Sequence, residues 1–301
     1  MFRTIVTALK GAAALLIITI STIVLSTLVC LLGLLKFLAP TAKLRARVRY
    51  WLASLVELWT AINNAVLFLF RATSWDVEIP EGLDYQGCYI VSCNHQSWVD
   101  ILVLQRCFNR KLPLLRFFLK KELFWVPFLG LAWWSLDFPF MQRYSKEQVR
   151  KKPSLQGKDL ENARKACEKF REIPVAMMSF PEGTRFSERK RLESNSPYQN
   201  LLKPRIGGIG QVLYALNDQL DGLVDVTIVY PGKSEGAPPP TFWELVSGQI
   251  PKIVVRARKR DIPPELLGRE FRRDRGFRSE LQAWMDQQWQ DKDALIQSID
   301  L

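Results

Sequence analysis

The sequence predicts an α/β fold: a mixed, largely parallel sheet covered by helices on both faces, with N-terminal membrane-anchoring helices. Three observations carry this. Residues 11–35 contain no charged side chain. Beyond Arg71, short apolar runs alternate with longer amphipathic stretches, the pattern of strands and crossover helices in one sheet. Two of those runs end at clusters able to carry chemistry, around His95 and around Glu182, and sites in such sheets lie beyond the carboxyl ends of strands.

The N-terminal elements come first. An uncharged run of 25 positions is more than the roughly 20 residues a span requires. A cleaved signal peptide has a shorter apolar core and small residues at its cleavage site; here Lys36, Lys43, Arg45, Arg47 and Arg49 follow instead. The run therefore reads as an uncleaved anchor. Residues 51–70 repeat apolar side chains at helical spacing, Leu52, Leu55, Trp59 and Val66 among them, but also carry Glu57, Asn63 and Asn64. They fit a helix in the membrane interface, or a second span completing a hairpin. The basic stretch between the two segments belongs on the cytoplasmic side, and Arg3 and Lys10 draw the N-terminus the same way.

Residues 1–72 thus form a membrane region, 73–260 the α/β domain and 261–301 a C-terminal helical extension. Residues 89–93 read as a buried strand ending just before His95, and 97–107 as the helix after it. Residues 158–172 form an amphipathic helix with Leu160, Ala163, Cys167 and Phe170 on one stripe. Residues 174–180 are the next strand. The polar stretch 188–199 reads as an irregular loop. Gly207 to Gly210 lack the Gly-Lys-Ser/Thr ending of a P-loop and read as the turn at a helix start. A helix over 211–220 follows, then a strand over 224–230 stopped by Pro231-Gly232. Pro238-Pro239-Pro240 marks a loop, 253–257 a further strand and 278–299 a terminal helix.

At 48% hydrophobic residues the chain can bury a sizeable core. Its net charge of +12, beside an apolar N-terminus, favours anionic lipid or a phosphorylated substrate over nucleic acid. The five cysteines, Cys30, Cys88, Cys93, Cys107 and Cys167, form no CxxC pair and are odd in number, which argues against a disulfide framework. With one histidine in the chain, a zinc site is not expected either.

That histidine, His95, sits in Asn94-His95-Gln96-Ser97-Trp98-Val99-Asp100. Asp100 could hold one imidazole tautomer through Nδ1 and leave Nε2 to take a proton. Five residues apart, the two do not share a helix face, so they meet only if His95 precedes the helix. No Gly-x-Ser-x-Gly elbow supplies a nucleophile, and Ser187-Glu188-Arg189-Lys190 lies in a charged stretch. A base without a protein nucleophile points to activation of a substrate hydroxyl. Downstream, Phe180-Pro181-Glu182-Gly183-Thr184-Arg185 pairs a turn-forming glycine with a guanidinium suited to phosphate. Glu182 could bond a substrate hydroxyl or orient Arg185.

Both segments resemble motifs of the glycerolipid (1-acyl-glycerol-3-phosphate) acyltransferase superfamily. Asn94 to Asp100 resembles its first motif and Phe180 to Arg185 its third. Lys120-Lys121-Glu122-Leu123, Pro127, Gly130 and Phe140-Met141-Gln142-Arg143 resemble the second, and Val226 to Pro231 the fourth. Trp284, Trp289 and Lys292 are similar to the lysocardiolipin acyltransferase-like branch, which includes bacterial inner-membrane members. The resemblance implies an α/β catalytic domain facing the cytoplasm and direct transfer of a fatty acyl group from acyl-CoA or acyl carrier protein to a lysophospholipid, 1-acyl-glycerol-3-phosphate first among acceptors. His95 would be the general base and Asp100 its orienting partner. Arg143, Glu182, Gly183, Thr184 and Arg185 would bind the acceptor phosphate, assisted by Lys120. No cofactor and no metal are implied.

Overall fold

The structure, a computed structural model, describes residues 2–69, 73–141, 146–152, 154, 158–168, 170–171, 173–232, 238–271 and 273–300. Two long helices open the chain, α1 (Phe2–Leu38) and α2 (Ala42–Leu69), joined through residues 39–41. Both are long and apolar enough to cross a membrane, by length and composition alone. They also pack on the rest of the chain, as described below.

The α/β domain begins with strand β1 (Ser74–Glu78) and the central strand β2 (Cys88–Cys93), followed by helix α3 (Val99–Phe108). Short elements come next: β3 (Leu115–Phe117), β4 (Leu119–Lys120), α4 (Leu129–Ser135), β5 (Phe140–Met141) and α5 (Lys146–Lys151). Helix α6 (Lys158–Glu168) leads to β6 (Val175–Ser179), α7 (Glu188–Glu193) and α8 (Gly207–Leu216). The chain closes with β7 (Gly222–Val229), α9 (Phe242–Val246), β8 (Lys252–Arg260) and α10 (Arg275–Asp300).

The main sheet has the order β1-β8-β7-β2-β6-β3, parallel throughout except for the β7–β8 pair; β4 and β5 form a separate parallel pair. β2 and β7 are buried at every position, as apolar strands covered on both faces should be. Side chains alternate between two cores. Ile90 and Met177 point to the side covered by α8 and α10, with Leu213, Phe277 and Trp289; Val91 and Met178 point to the side covered by α3, with Val103 and Leu104. Register sets the working edge. Ser92 of β2 lies opposite Ser179 of β6 and Asp225 of β7, so the segments that follow these three strands emerge side by side.

Three expectations need correction or refinement. The polar stretch 188–199 is not wholly irregular. Its first half is α7, started by Ser187, whose Oγ accepts from Lys190 N–H at 3.4 Å, and braced by the Arg191–Glu188 ion pair. Gly207 opens α8 itself, where a helix-start turn was expected over 207–210. The terminal helix is not set apart from the α/β core: Phe277, Leu281, Met285 and Trp289 are fully buried in the same cluster as β2 and β6.

Candidate active site

β2 ends at Cys93, and residues 94–98 turn the chain before α3 begins at Val99. Asn94 fixes that turn. Its Nδ2 donates to the Ile228 carbonyl at 2.9 Å and its Oδ1 accepts from Ile228 N–H at 2.9 Å, so the side chain continues the ladder between β2 and β7. His95 therefore precedes the helix while Asp100 sits in its first turn, and the five-residue spacing closes: His95 Nδ1 lies 2.9 Å from Asp100 Oδ2.

Asp100 has no solvent exposure and is surrounded by donors. Oδ2 also accepts from the backbone N–H of Gln96 at 2.7 Å and of Ser97 at 2.8 Å, and Oδ1 accepts from the Tyr230 hydroxyl at 2.6 Å. With Oδ2 accepting at the imidazole, the contact selects the Nδ1–H tautomer, which in a neutral ring puts the lone pair on Nε2. The imidazole is further held by stacking on Phe180, with ring centroids 4.0 Å apart. Burial beside Asp100 drives the Tyr230 hydroxyl far above its ordinary pKa, which keeps it a donor.

Glu182 holds this turn from the other side. Its Oε1 accepts from His95 N–H at 2.7 Å and its Oε2 from Leu202 N–H at 2.9 Å. Phe186 N–H donates to the His95 carbonyl at 2.7 Å and completes the link between the two loops. Glu182 is 1% exposed, and burial raises its carboxyl from 4.5 to about 7 despite those two donors and the Lys292 charge. The expectation that Glu182 touches the acceptor phosphate gives way here. Both oxygens are engaged by backbone N–H groups, so the side chain braces the two loops. Glu182 is a positioning residue.

Lys120, Gly183, Thr184 and Arg185 line, together with His95, a cavity of about 1040 Å³. Gly183 adopts φ 69°, a left-handed conformation that suits glycine, and a Cβ there would press on the Arg205 side chain at 3.2 Å. Arg185 lies over the Trp98 ring, 5.2 Å from its centroid, and Lys190 Nζ bonds Thr184 Oγ1 and the Arg185 carbonyl, both at 2.8 Å. Arg143 lies outside the described residues. Arg205, which the sequence did not single out, also lines the cavity, so its described lining includes Lys120, Arg185 and Arg205 and no acid. The residues that α1 and α2 contribute are uncharged, Leu25 and Leu55 among them, and Leu102, Phe117 and Trp133 add further apolar lining.

The cysteines are poor nucleophile candidates. Burial pushes Cys88 and Cys107 up to about 12 and raises Cys93 well above its ordinary value, so these thiols stay protonated at neutral pH.

Tyr230 and Arg205 are the functional candidates that sequence reasoning passed over. Tyr230 closes the strand before Pro231, a visible position, but its partner Asp100 is 130 residues away. Arg205 carries no local signal.

Known proteins resemble this chain in sequence and in fold. The mouse "1-acyl-sn-glycerol-3-phosphate acyltransferase epsilon" is 24% identical over 80% of this chain and 66% of its own length. The Saccharomyces cerevisiae "2-acyl-1-lysophosphatidylinositol acyltransferase" is 28% identical over 75% of this chain and 68% of its own. "Lysocardiolipin acyltransferase 1" of Danio rerio is 26% identical over 84% of this chain and 62% of its own. The chain thus spans about two thirds of the length of the curated relatives it matches. The crystal structure of the 1-acyl-sn-glycerophosphate acyltransferase PlsC from Thermotoga maritima shares the fold, with TM-score 0.53 and 18% identity over 95% of this chain and 97% of that one. The family profile described as "Acyltransferase" matches residues 74–230, just over half of the sequence, a span that includes His95, Asp100, Glu182, Arg185 and Tyr230; the chain belongs to the acyltransferase family.

Proposed function

We propose that this protein is a membrane-bound O-acyltransferase. It moves a fatty acyl group from acyl-CoA or acyl carrier protein to the free hydroxyl of a lysophospholipid, with 1-acyl-glycerol-3-phosphate the leading acceptor and phosphatidic acid the product. The observation that carries the reading is an imidazole oriented by a fully enclosed carboxylate, in a cavity lined also by Arg185 and by uncharged residues of α1 and α2.

The chemistry follows from that placement. His95 Nε2 takes the proton of the acceptor hydroxyl as its oxygen attacks the thioester carbonyl. The C–S bond breaks as the tetrahedral intermediate collapses, and the departing sulfur receives the proton from the imidazolium. Asp100 stabilises that imidazolium, and no acyl-enzyme forms. Arg185, with Arg205, Lys120 and Arg143, meets the acceptor phosphate, since a guanidinium offers paired donors to two phosphate oxygens.

A second acceptor reading is supported by the relatives' names, which include lysophosphatidylinositol and lysocardiolipin enzymes. In either case the hairpin α1–α2 holds the protein at the membrane. The basic residues Lys43, Arg45, Arg47 and Arg49 favour the cytoplasmic face, in a bacterium that of the inner membrane.

The test is to present purified protein with a panel of lysophospholipids and both donor types, and to identify products by mass spectrometry. Phosphatidic acid as main product supports the leading acceptor. A different diacyl product selects the second reading, and thioester hydrolysis without any diacyl lipid rejects both.

A further inference from the structure

Two carboxamides are set into the apolar part of the cavity. Asn63 of α2 is 5% exposed, and neither its Nδ2 nor its Oδ1 has a hydrogen-bond partner among the described residues. Gln105 Oε1 of α3 is likewise buried and unpartnered among them. Both side chains line the cavity. Two polar neighbours on α2, Trp59 and Thr60, are already engaged. Trp59 Nε1 donates to Thr22 Oγ1 at 3.0 Å, and Thr60 Oγ1 donates to the Val56 carbonyl of its own helix at 3.0 Å. An unsatisfied buried polar group is destabilising. Leucine at position 63 would avoid that cost, and polar groups retained within apolar membrane helices mark substrate contacts.

The position of the pair is informative. Trp98, Ile101, Leu102 and Gln105 share one face of α3, and all line the cavity. Gln105 lies about 10 Å beyond Trp98 along the helix axis, at the end away from His95. Arg106 Nη1 bonds the Asn64 carbonyl and Asn109 Nδ2 the Glu57 carbonyl, both at 3.4 Å, which pins α3 to α2 where Asn63 and Gln105 meet the cavity.

We propose that Asn63 and Gln105 form a hydroxyl-recognising station in the channel, selecting fatty acyl chains that carry a hydroxyl group partway along their length. The proposal rests on the acyl-transfer reading above. The unpartnered set is one donor and two acceptors. A hydroxyl answers both kinds, donating its hydrogen to an amide oxygen and accepting from Nδ2. A carbonyl uses only the donor, an alkene offers neither partner, and a charged group would be stranded among apolar walls. The hydroxylated chain is either the incoming acyl group or the chain already on the acceptor.

Two competition assays on the full-length protein separate these sources. In one, unmodified, β-hydroxy and mid-chain-hydroxy acyl-CoA compete for a plain lysophospholipid. In the other, a plain donor meets unmodified and mid-chain-hydroxylated lysophospholipids. The expected result is a mid-chain-hydroxyl preference of about 3- to 10-fold in one assay, the effect of one ordinary hydrogen bond. Asn63→Leu should abolish that preference while raising Tm, and Gln105→Leu should reduce it. No preference in the wild type, a preference for the β-hydroxyl chain, or a preference that survives Asn63→Leu overturns the proposal. Should Asn63→Leu fail to fold, the same ratio in Gln105→Leu decides. If no donor and acceptor pair yields product, the acyl-transfer reading falls and the station with it.

Discussion

Side chains five residues apart do not face each other on a helix, yet His95 Nδ1 and Asp100 Oδ2 are 2.9 Å apart because Asn94 holds His95 in the turn ahead of α3. The pair was legible in the sequence, since a lone histidine directly after an apolar strand has few other uses. The enclosure of Asp100 was not: its fourth donor, Tyr230, arrives from the end of β7. Asp100→Asn should lower kcat on the order of 10³- to 10⁴-fold, as the wrong tautomer becomes favoured, and should retain more activity than His95→Ala. Tyr230→Phe leaves the carboxylate one donor short. It should lower kcat about 10-fold with KM nearly unchanged, the loss of one hydrogen bond to a charged group; a change confined to KM would place Tyr230 at the substrate instead. Arg185 has a separate signature. Arg185→Lys keeps the charge and loses the fork, so the preference for a phosphorylated acceptor over its monoacylglycerol analogue should narrow by about 10- to 100-fold in kcat/KM. An unchanged ratio would pass the phosphate to Arg143 or Arg205.

The strands β2, β6 and β7 and the helices α3 and α10 could be read from apolar runs and periodicity. The elements β1, β3, β4 and β5 could not, since they span only two to five residues and lie at sheet edges or in the small second sheet. Nor could the sequence show how elements hold one another. Trp289 of α10 donates from Nε1 to the Leu202 carbonyl at 3.0 Å, and Lys292 reaches Asp225 Oδ1 at 2.7 Å. Leu202 N–H in turn bonds Glu182, which bonds His95. The terminal helix therefore supports the catalytic turn through three links. Glu182 makes this support sensitive to pH. Its folded pKa is raised, so the folded state binds the extra proton between pH 4.5 and about 7. Its contribution to stability is thus complete below 4.5 and lost as pH rises through 7. Across that range, Tm of the wild type should fall with pH relative to Glu182→Gln, and parallel curves would contradict the raised pKa. At the α1–α4 contact, a Cβ on Gly33 would lie 1.9 Å from Ser135 Oγ. Gly33→Val should cost about 1–3 kcal/mol by overpacking, visible in thermal unfolding, and an unchanged Tm would mean that α1 moves freely against α4.

Across the molecule, α1 and α2 supply part of the cavity lining and the α/β domain the rest, so the hairpin is part of the candidate site. α1 meets α9 near Gly11 and α4 near Gly33, and Lys36 pairs with Asp137 at 3.0 Å. Its outer face remains apolar, with Leu16, Leu31 and Leu34 more than half exposed. The sequence displayed both the long apolar helices and the His95 and Glu182 segments, but their shared cavity depends on tertiary packing that periodicity does not encode. The central claim is direct acyl transfer with His95 as base in that cavity. It is tested most directly by single-turnover transfer from a labelled acyl thioester to 1-acyl-glycerol-3-phosphate, comparing the wild type with His95→Ala of matched Tm. The account predicts diacyl product from the wild type with no labelled protein at any time, and no product from His95→Ala. Near-normal product from the folded variant, or a labelled acyl-enzyme that decays into product, would contradict it.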